Sequence, residues 1–139
     1  MNTAIDIATD QIKIDEGLRL TPYLDTENIL TIGYGRNLEH NGITESEAEH
    51  MLRNDLRVAE EDAVSFVTST VWQQLDAPRR AVLINMAFNL GLTRLSKFKK
   101  FKQALHDHDY HEAARQMLDS RWSRQVGERS HRLADSMRG

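Results

Sequence analysis

The sequence predicts an α+β fold, with a first helix, a small antiparallel sheet, a long connecting helix and then a mostly helical remainder. Two observations carry that reading. One stretch is rich in β-branched and aromatic residues: Thr31-Ile32-Gly33-Tyr34-Gly35 faces Tyr23-Leu24 across the turn Asp25-Thr26-Glu27-Asn28, the composition of a hairpin. In successive segments elsewhere, apolar residues return at helical spacing between residues that start or stop helices.

Thr3 to Glu16 reads as an amphipathic helix with Ile5, Ala8 and Ile12 on one face, opened by Thr3 and Asp6 as a capping pair. Gly17 closes it, because glycine takes the left-handed conformation past a last turn without a Cβ clash. After the hairpin, Asn41-Gly42 makes a turn. Thr44-x-x-Glu47 is a capping box, with Ile43 placed to staple onto Ala48. Ala48, Leu52, Leu56, Ala59, Ala63 and Val67 then predict one connecting helix from about Thr44 to Phe66. Asp76 caps the next helix, and Pro78 is tolerated in its first turn, where amides lack intrahelical partners. From Ala81 to Phe88 that helix is apolar on nearly every side, which predicts a buried axis, and Gly91 ends it. Met51, Met86 and Met117 read as core filler. Asp109 caps a helix through Leu118, and the last helix runs roughly from Val126 to Met137 with Arg129 and Arg132 on one side. Trp122 reads as packing rather than as a platform for a sugar.

Two stretches invite other readings. Lys97-Phe98-Lys99-Lys100-Phe101-Lys102 alternates bases with aromatics, as some nucleic-acid binders do. Phe98, Phe101 and Leu105 nevertheless fall at i, i+3 and i+7, a core stripe that leaves the lysines solvated. His106-Asp107-His108-Asp109-Tyr110-His111 gathers metal-binding side chains, but its spacing matches no closed zinc pattern and it reads as a loop between helices. The reading therefore assigns no metal ligand, no cofactor and no nucleic-acid partner.

At 139 residues the chain is one domain-sized unit, able to bury most of the surface an extended chain exposes. It has no cysteine, hence no disulfide framework. No apolar run reaches the length of a signal core at the start or of a membrane span later, so no stable membrane association is expected. The net charge of −3 hides an asymmetry: residues 1–78 hold 5 Lys and Arg against 15 Asp and Glu, while residues 79–139 hold 13 against 6. The basic half could attract a polyanion such as a cell wall or nucleic acid, or complement the acidic half within one molecule.

The chemistry concentrates between Ile14 and Arg36. Glu16 is the last side chain of the first helix, facing the negative end of the helix dipole with Asp15 beside it, and both effects favour its protonated form. Asp25 sits where the hairpin reverses, solvated and able to stay ionised. Two carboxyl groups whose surroundings push their protonation apart suit glycosidic bond cleavage through an oxocarbenium-like transition state. Glu16 would protonate the leaving oxygen, while Asp25 and the Thr31 hydroxyl would hold and activate a water on the opposite face of the sugar. Taken singly, each residue also has a plain reading, Glu16 as a helix-end acid and Asp25 as a turn aspartate.

The run Ile14-Asp15-Glu16-Gly17-Leu18-Arg19-Leu20, then Tyr23-x-Asp25-Thr26-Glu27, then Thr31-Ile32-Gly33-x-Gly35 resembles the active-site segment of the T-even phage lysozymes, the glycoside hydrolase family 24 endolysins. The resemblance resumes at Ile43-Thr44 with Glu47-Ala48-Glu49, through Leu75-Asp76-Ala77 and Asn85 to Gly91, and at Ser120-Arg121-Trp122 with Arg129. It implies a lysozyme-like single domain over residues 1–139, with lobes of about 14–60 and 1–13 plus 61–139, and places the family's catalytic Glu, Asp and Thr on Glu16, Asp25 and Thr31. It implies a muramidase that cuts the β-1,4 bond between N-acetylmuramic acid and N-acetylglucosamine with inversion and without metal or organic cofactor. Phe88, Asn89, Phe101, Gln116, Arg121 and Arg129 are carried over as substrate-binding residues. Asn89 and Gln116 differ from close relatives in amide length, and Phe101 stands where a small polar residue is usual.

From the resemblance Arg129 is expected to reach Glu16, and its charge would oppose the effects that favour the protonated acid, leaving the net direction open. Where the family usually has a histidine paired with an aspartate, this chain has Arg36 and Asp55, which are expected to form a salt bridge. The partner is bacterial peptidoglycan and the chain is expected to be a monomer. It would accumulate in the host cytoplasm until a separate membrane-permeabilising protein releases it to the wall. The other class consistent with the same residues is a non-catalytic peptidoglycan-binding or phage structural module on this fold.

Overall fold

The computed structural model describes residues 2–139, and the chain forms two compact units, Met1–His50 and Met51–Gly139. In the first unit, helix α1 (Ala4–Glu16) opens with the reciprocal box expected of Thr3 and Asp6: Thr3 Oγ1 accepts from the Asp6 amide at 3.1 Å, and Asp6 Oδ2 accepts from the Thr3 amide at 3.0 Å. Gly17, at φ 69°, closes it by donating its amide to the Lys13 carbonyl. α1 buries none of its residues.

Three strands follow, β1 (Arg19–Leu24), β2 (Leu30–Gly33) and β3 (Arg36–Asn37), forming one antiparallel sheet in that order. Thr31 stands opposite Tyr23 on one side and Asn37 on the other, and Ile32 stands opposite Arg36. The turn between β1 and β2 is the expected one, with Asn28 at φ 62°. β3 and the single-turn helix α2 (Leu38–Asn41) are new to the sequence reading, since elements so short carry no period. Thr44 and Glu47 form the expected box at the head of α3 (Glu45–Val67), which starts in the first unit and continues into the second.

The second unit contains the rest of α3, then α4 (Ser69–Gln74), α5 (Ala77–Leu95), α6 (Lys99–His106), α7 (Tyr110–Leu118), α8 (Arg121–Val126) and α9 (Glu128–Arg138). Its core is continuous and apolar, with Leu83, Met86, Leu95, Leu105 and Met117 fully buried. Of the periodic residues of α3, Ala59, Ala63 and Val67 join this core, whereas Leu52 and Leu56 are exposed. Met51 is corrected as well: it stands exposed and fills no core. Met86 and Met117 do.

Asp76 caps α5, Pro78 sits in its first turn, and Gly91, at φ 75°, interrupts the helix before a last turn through Leu95. Phe98, Phe101 and Leu105 form the predicted stripe, with Phe101 stacked on Phe66 and edge-on to Phe98. Asp109 caps α7 through the Glu112 amide at 3.0 Å. The last predicted helix is α9, starting at Glu128; Gly127, at φ 60°, separates it from α8, a short helix that the sequence reading did not assign. Arg79, from the first turn of α5, donates to the carbonyls of Met137 at 2.7 Å and Arg138 at 2.8 Å and lies over the Tyr110 ring, which satisfies acceptors that the end of α9 leaves open.

Candidate active site

The three catalytic candidates all belong to the first unit; local hydrogen bonds set Asp25 and Thr31, and a contact with a later turn sets Glu16. Asp25 is held by an Asx turn. Its Oδ1 accepts the amides of Glu27 at 2.8 Å and Ile29 at 2.9 Å, and among the described residues Oδ2 accepts nothing. One carboxylate oxygen is thus saturated and the other is left for an outside partner. Thr31 is 4% exposed, and its Oγ1 donates to the Ile29 carbonyl at 2.8 Å. With its proton committed, that oxygen offers lone pairs and can only accept from a further ligand. Ile29 therefore bonds Asp25 through its N–H and Thr31 through its C=O, so one peptide segment sets the aspartate and the hydroxyl relative to each other.

Glu16 is set by a close approach. Gly35 lies in the turn between β2 and β3 at φ 80°, and a Cβ built on it would stand 3.0 Å from Glu16 Oε2 and 3.1 Å from Glu16 Cδ. The carboxyl group rests on the bare glycine backbone, and no other residue type leaves that space. The same helix end meets the same turn a second time, with Lys13 Nζ 5.5 Å from the centre of the Tyr34 ring.

Arg36 follows Gly35 directly, and its partner corrects the sequence reading. The guanidinium expected to pair with Asp55 instead grips Glu47 with two parallel bonds, Nη1 to Oε1 and Nη2 to Oε2, each 2.8 Å. Nη1 also donates to the Gly42 carbonyl at 3.1 Å, and Glu47 Oε1 accepts the Thr44 amide at 2.8 Å. The Arg36 bonds, followed by the Thr44 amide, pull the Glu47 carboxyl from about 4.5 down to about 2. The Arg36 pKa moves upward in return. The pair borders a cavity of about 540 Å³ that Tyr34, Gly35, Asn37 and Asn41 also line.

The second unit sorts the carried-over substrate residues into two groups. Phe101, Gln116 and Arg121 line one cavity of about 570 Å³, together with Phe98, Trp122 and Lys100. Phe101 contributes a core ring that is 1% exposed. Gln116 donates to Glu112 Oε1 at 2.9 Å. Phe88, Asn89 and Arg129 are outside that lining. The Phe88 ring is exposed, Asn89 Oδ1 accepts from the indole of the buried Trp122 at 2.8 Å, and Arg129 gives its guanidinium to Asn85 Oδ1 at 2.6 Å and 2.9 Å. The sequence reading missed Gly35, Ile29, Glu47 and Asn85. For Glu47 a signal was present, since its place in the capping box already put it three residues from Thr44 at a helix mouth; the others act through backbone or through distant partners.

Residues 13–136 match the family model described as Phage lysozyme. The chain is 33% identical to "Probable T4-type lysozyme 1" and 31% identical to "Probable T4-type lysozyme 2", both of Dictyostelium discoideum, with 89% of each chain covered in both cases. It is also 30% identical to "Pre-baseplate central spike protein Gp5" of Enterobacteria phage T4, over 89% of this chain and 26% of that one.

Proposed function

Because the chain belongs to the phage lysozyme family of glycoside hydrolases, with peptidoglycan as the substrate class, we propose that it is an inverting muramidase acting as an endolysin, with Glu16, Asp25 and Thr31 as its catalytic residues. The observation that carries this assignment is the split of hydrogen-bonding roles between Asp25 and Thr31. Asp25 has one oxygen saturated by two amides and one free, and Thr31 has its proton committed, so both present acceptor atoms to the hydrogens of one water. The acid form of Glu16 supplies the proton to the leaving glycosidic oxygen. Asp25 takes a proton from the water as it attacks the anomeric carbon from the opposite face, which inverts the configuration. The cavity lined by Phe101, Gln116 and Arg121 offers amide and guanidinium donors, with the partly exposed Phe98 as its accessible ring, the side-chain types that bind sugar rings and their N-acetyl groups. Phe88, Asn89 and Arg129 are assigned to the same substrate. In this reading the protein waits in the host cytoplasm and lyses the wall once another protein opens the membrane.

A second reading has one observation behind it. The likeness to a protein named as a phage spike covers only 26% of that chain, so a stretch similar to this one also forms part of a larger phage protein, and the second reading is a structural module. Cleavage of purified cell wall decides between them. Wild type lyses the wall and releases the α anomer first by NMR, and Glu16→Gln, which keeps the shape and removes the transferable proton, loses at least about 100-fold in rate. A folded wild type that leaves peptidoglycan intact across the pH range makes the chain a binding or structural module, and a β anomer assigns Asp25 as a nucleophile instead.

A further inference from the structure

We infer that Arg36 and Glu47 are positioning residues for the reaction, a clamp that keeps the turn carrying Gly35 pressed against the Glu16 carboxyl group; the inference rests on the muramidase reading for its rate arm alone. The argument begins with neighbours. Arg36 lies between Gly35 and Asn37 in the chain, and these two touch the site from both sides: Gly35 is the surface on which Glu16 rests, and Asn37 is the cross-strand partner of Thr31. Whatever fixes Arg36 fixes both across a single peptide unit each, and peptide units are rigid.

The strand itself cannot do this. β3 is two residues long, and its pairing with β2 covers only Asn37 with Thr31 and Arg36 with Ile32. A sheet edge so short frays unless something else holds it. The Arg36 fork supplies the missing restraint. Two parallel bonds to Glu47 set the guanidinium plane, the bond to the Gly42 carbonyl sets its depth, and Glu47 is fixed in turn by the Thr44 amide at the head of α3. A long helix thereby becomes the anchor of a short strand, and a fork-to-fork pair holds orientation as well as distance, which a lysine in place of Arg36 cannot do.

Four variants test the clamp: Arg36→Ala, Arg36→Lys and Glu47→Gln, with Asp135→Ala as a control that removes the ion pair to Arg138 at the far end of the chain. On a soluble peptidoglycan fragment, the alanine and glutamine variants lose kcat by about 100-fold, the effect of a misplacement on the order of 1 Å, and KM stays within about twofold. Arg36→Lys, which keeps the charge and folds most readily, falls in between. The control keeps wild-type kcat. In parallel, the ¹³C resonance of the Glu16 side-chain carboxyl and the amide resonance of Gly35 shift in all three clamp variants and hold in the control. If folded clamp variants retain kcat within about threefold and leave both resonances in place, the clamp has no positioning role. If wild type itself is inactive, the muramidase reading fails while the resonances still report on the clamp.

Discussion

Each of the two units is stabilised internally by a different kind of interaction. In Met1–His50 the single buried side chain among the described residues is Thr31, a polar one; order there comes from capping boxes, an Asx turn, a strand pairing and the Arg36 fork. In Met51–Gly139 the buried set is almost wholly apolar and runs without a break from Ala59 to Met137. Hydrogen bonds are directional, so the first unit fixes the angles at which Asp25 and Thr31 present their oxygens, while Glu16 is set by its contact with Gly35. Apolar burial is non-directional and scales with area, so the second unit gains stability from filling space. The expectation is that damage to the second unit registers mainly as lost stability and damage to the first mainly as lost activity.

The largest effect that would break this contrast lies in the core. Leu83 is fully buried, so Leu83→Ala removes its transfer energy and leaves a cavity, at a cost of about 2–5 kcal/mol. Urea denaturation followed by tryptophan fluorescence measures it, and a loss below about 1 kcal/mol would mean that the second unit is not held by packing.

Gly35→Ala makes the opposite case. The added Cβ meets the end of a flexible carboxyl side chain rather than backbone, so the collision is relieved by Glu16 swinging away. Positive φ adds about 1–2 kcal/mol of strain, while kcat drops by about 100-fold as the acid leaves its place. A variant with wild-type kcat and a large stability loss would reverse the assignment of roles.

The smallest effect is a pH dependence. The Glu47 carboxyl lies well below its ordinary value of about 4.5, at about 2, because the folded state binds its charged form through Arg36 and the Thr44 amide. Its contribution is therefore complete above about pH 4.5 and is lost as pH falls from there through about 2. The difference in urea midpoint between wild type and Glu47→Gln should narrow from about pH 6 to about pH 2; an unchanged difference would mean that Glu47 is not paired in solution.

Much of this is legible in the sequence alone, and the reason is range. Thr3 with Asp6, Thr44 with Glu47, Asp76 and Asp109 at helix starts, Gly17 and Gly91 at helix ends, and the turn from Asp25 to Asn28 all satisfy backbone groups within four residues, so the chain order contains the whole interaction. The placement of Asp25 and Thr31 on the hairpin is of the same kind. Tertiary structure decided what a linear pattern cannot rank. Arg36 had acidic side chains to choose from on α3, and the one at the helix mouth took it because Gly42 and Thr44 supply further bonds there. Helical period offered Leu52 and Leu56 on equal terms with Ala59 and Ala63, and only the last two met a partner surface. Gly35 reads as a turn residue in the sequence; its contact with Glu16 exists only once the end of α1 and the turn between β2 and β3 are folded against each other.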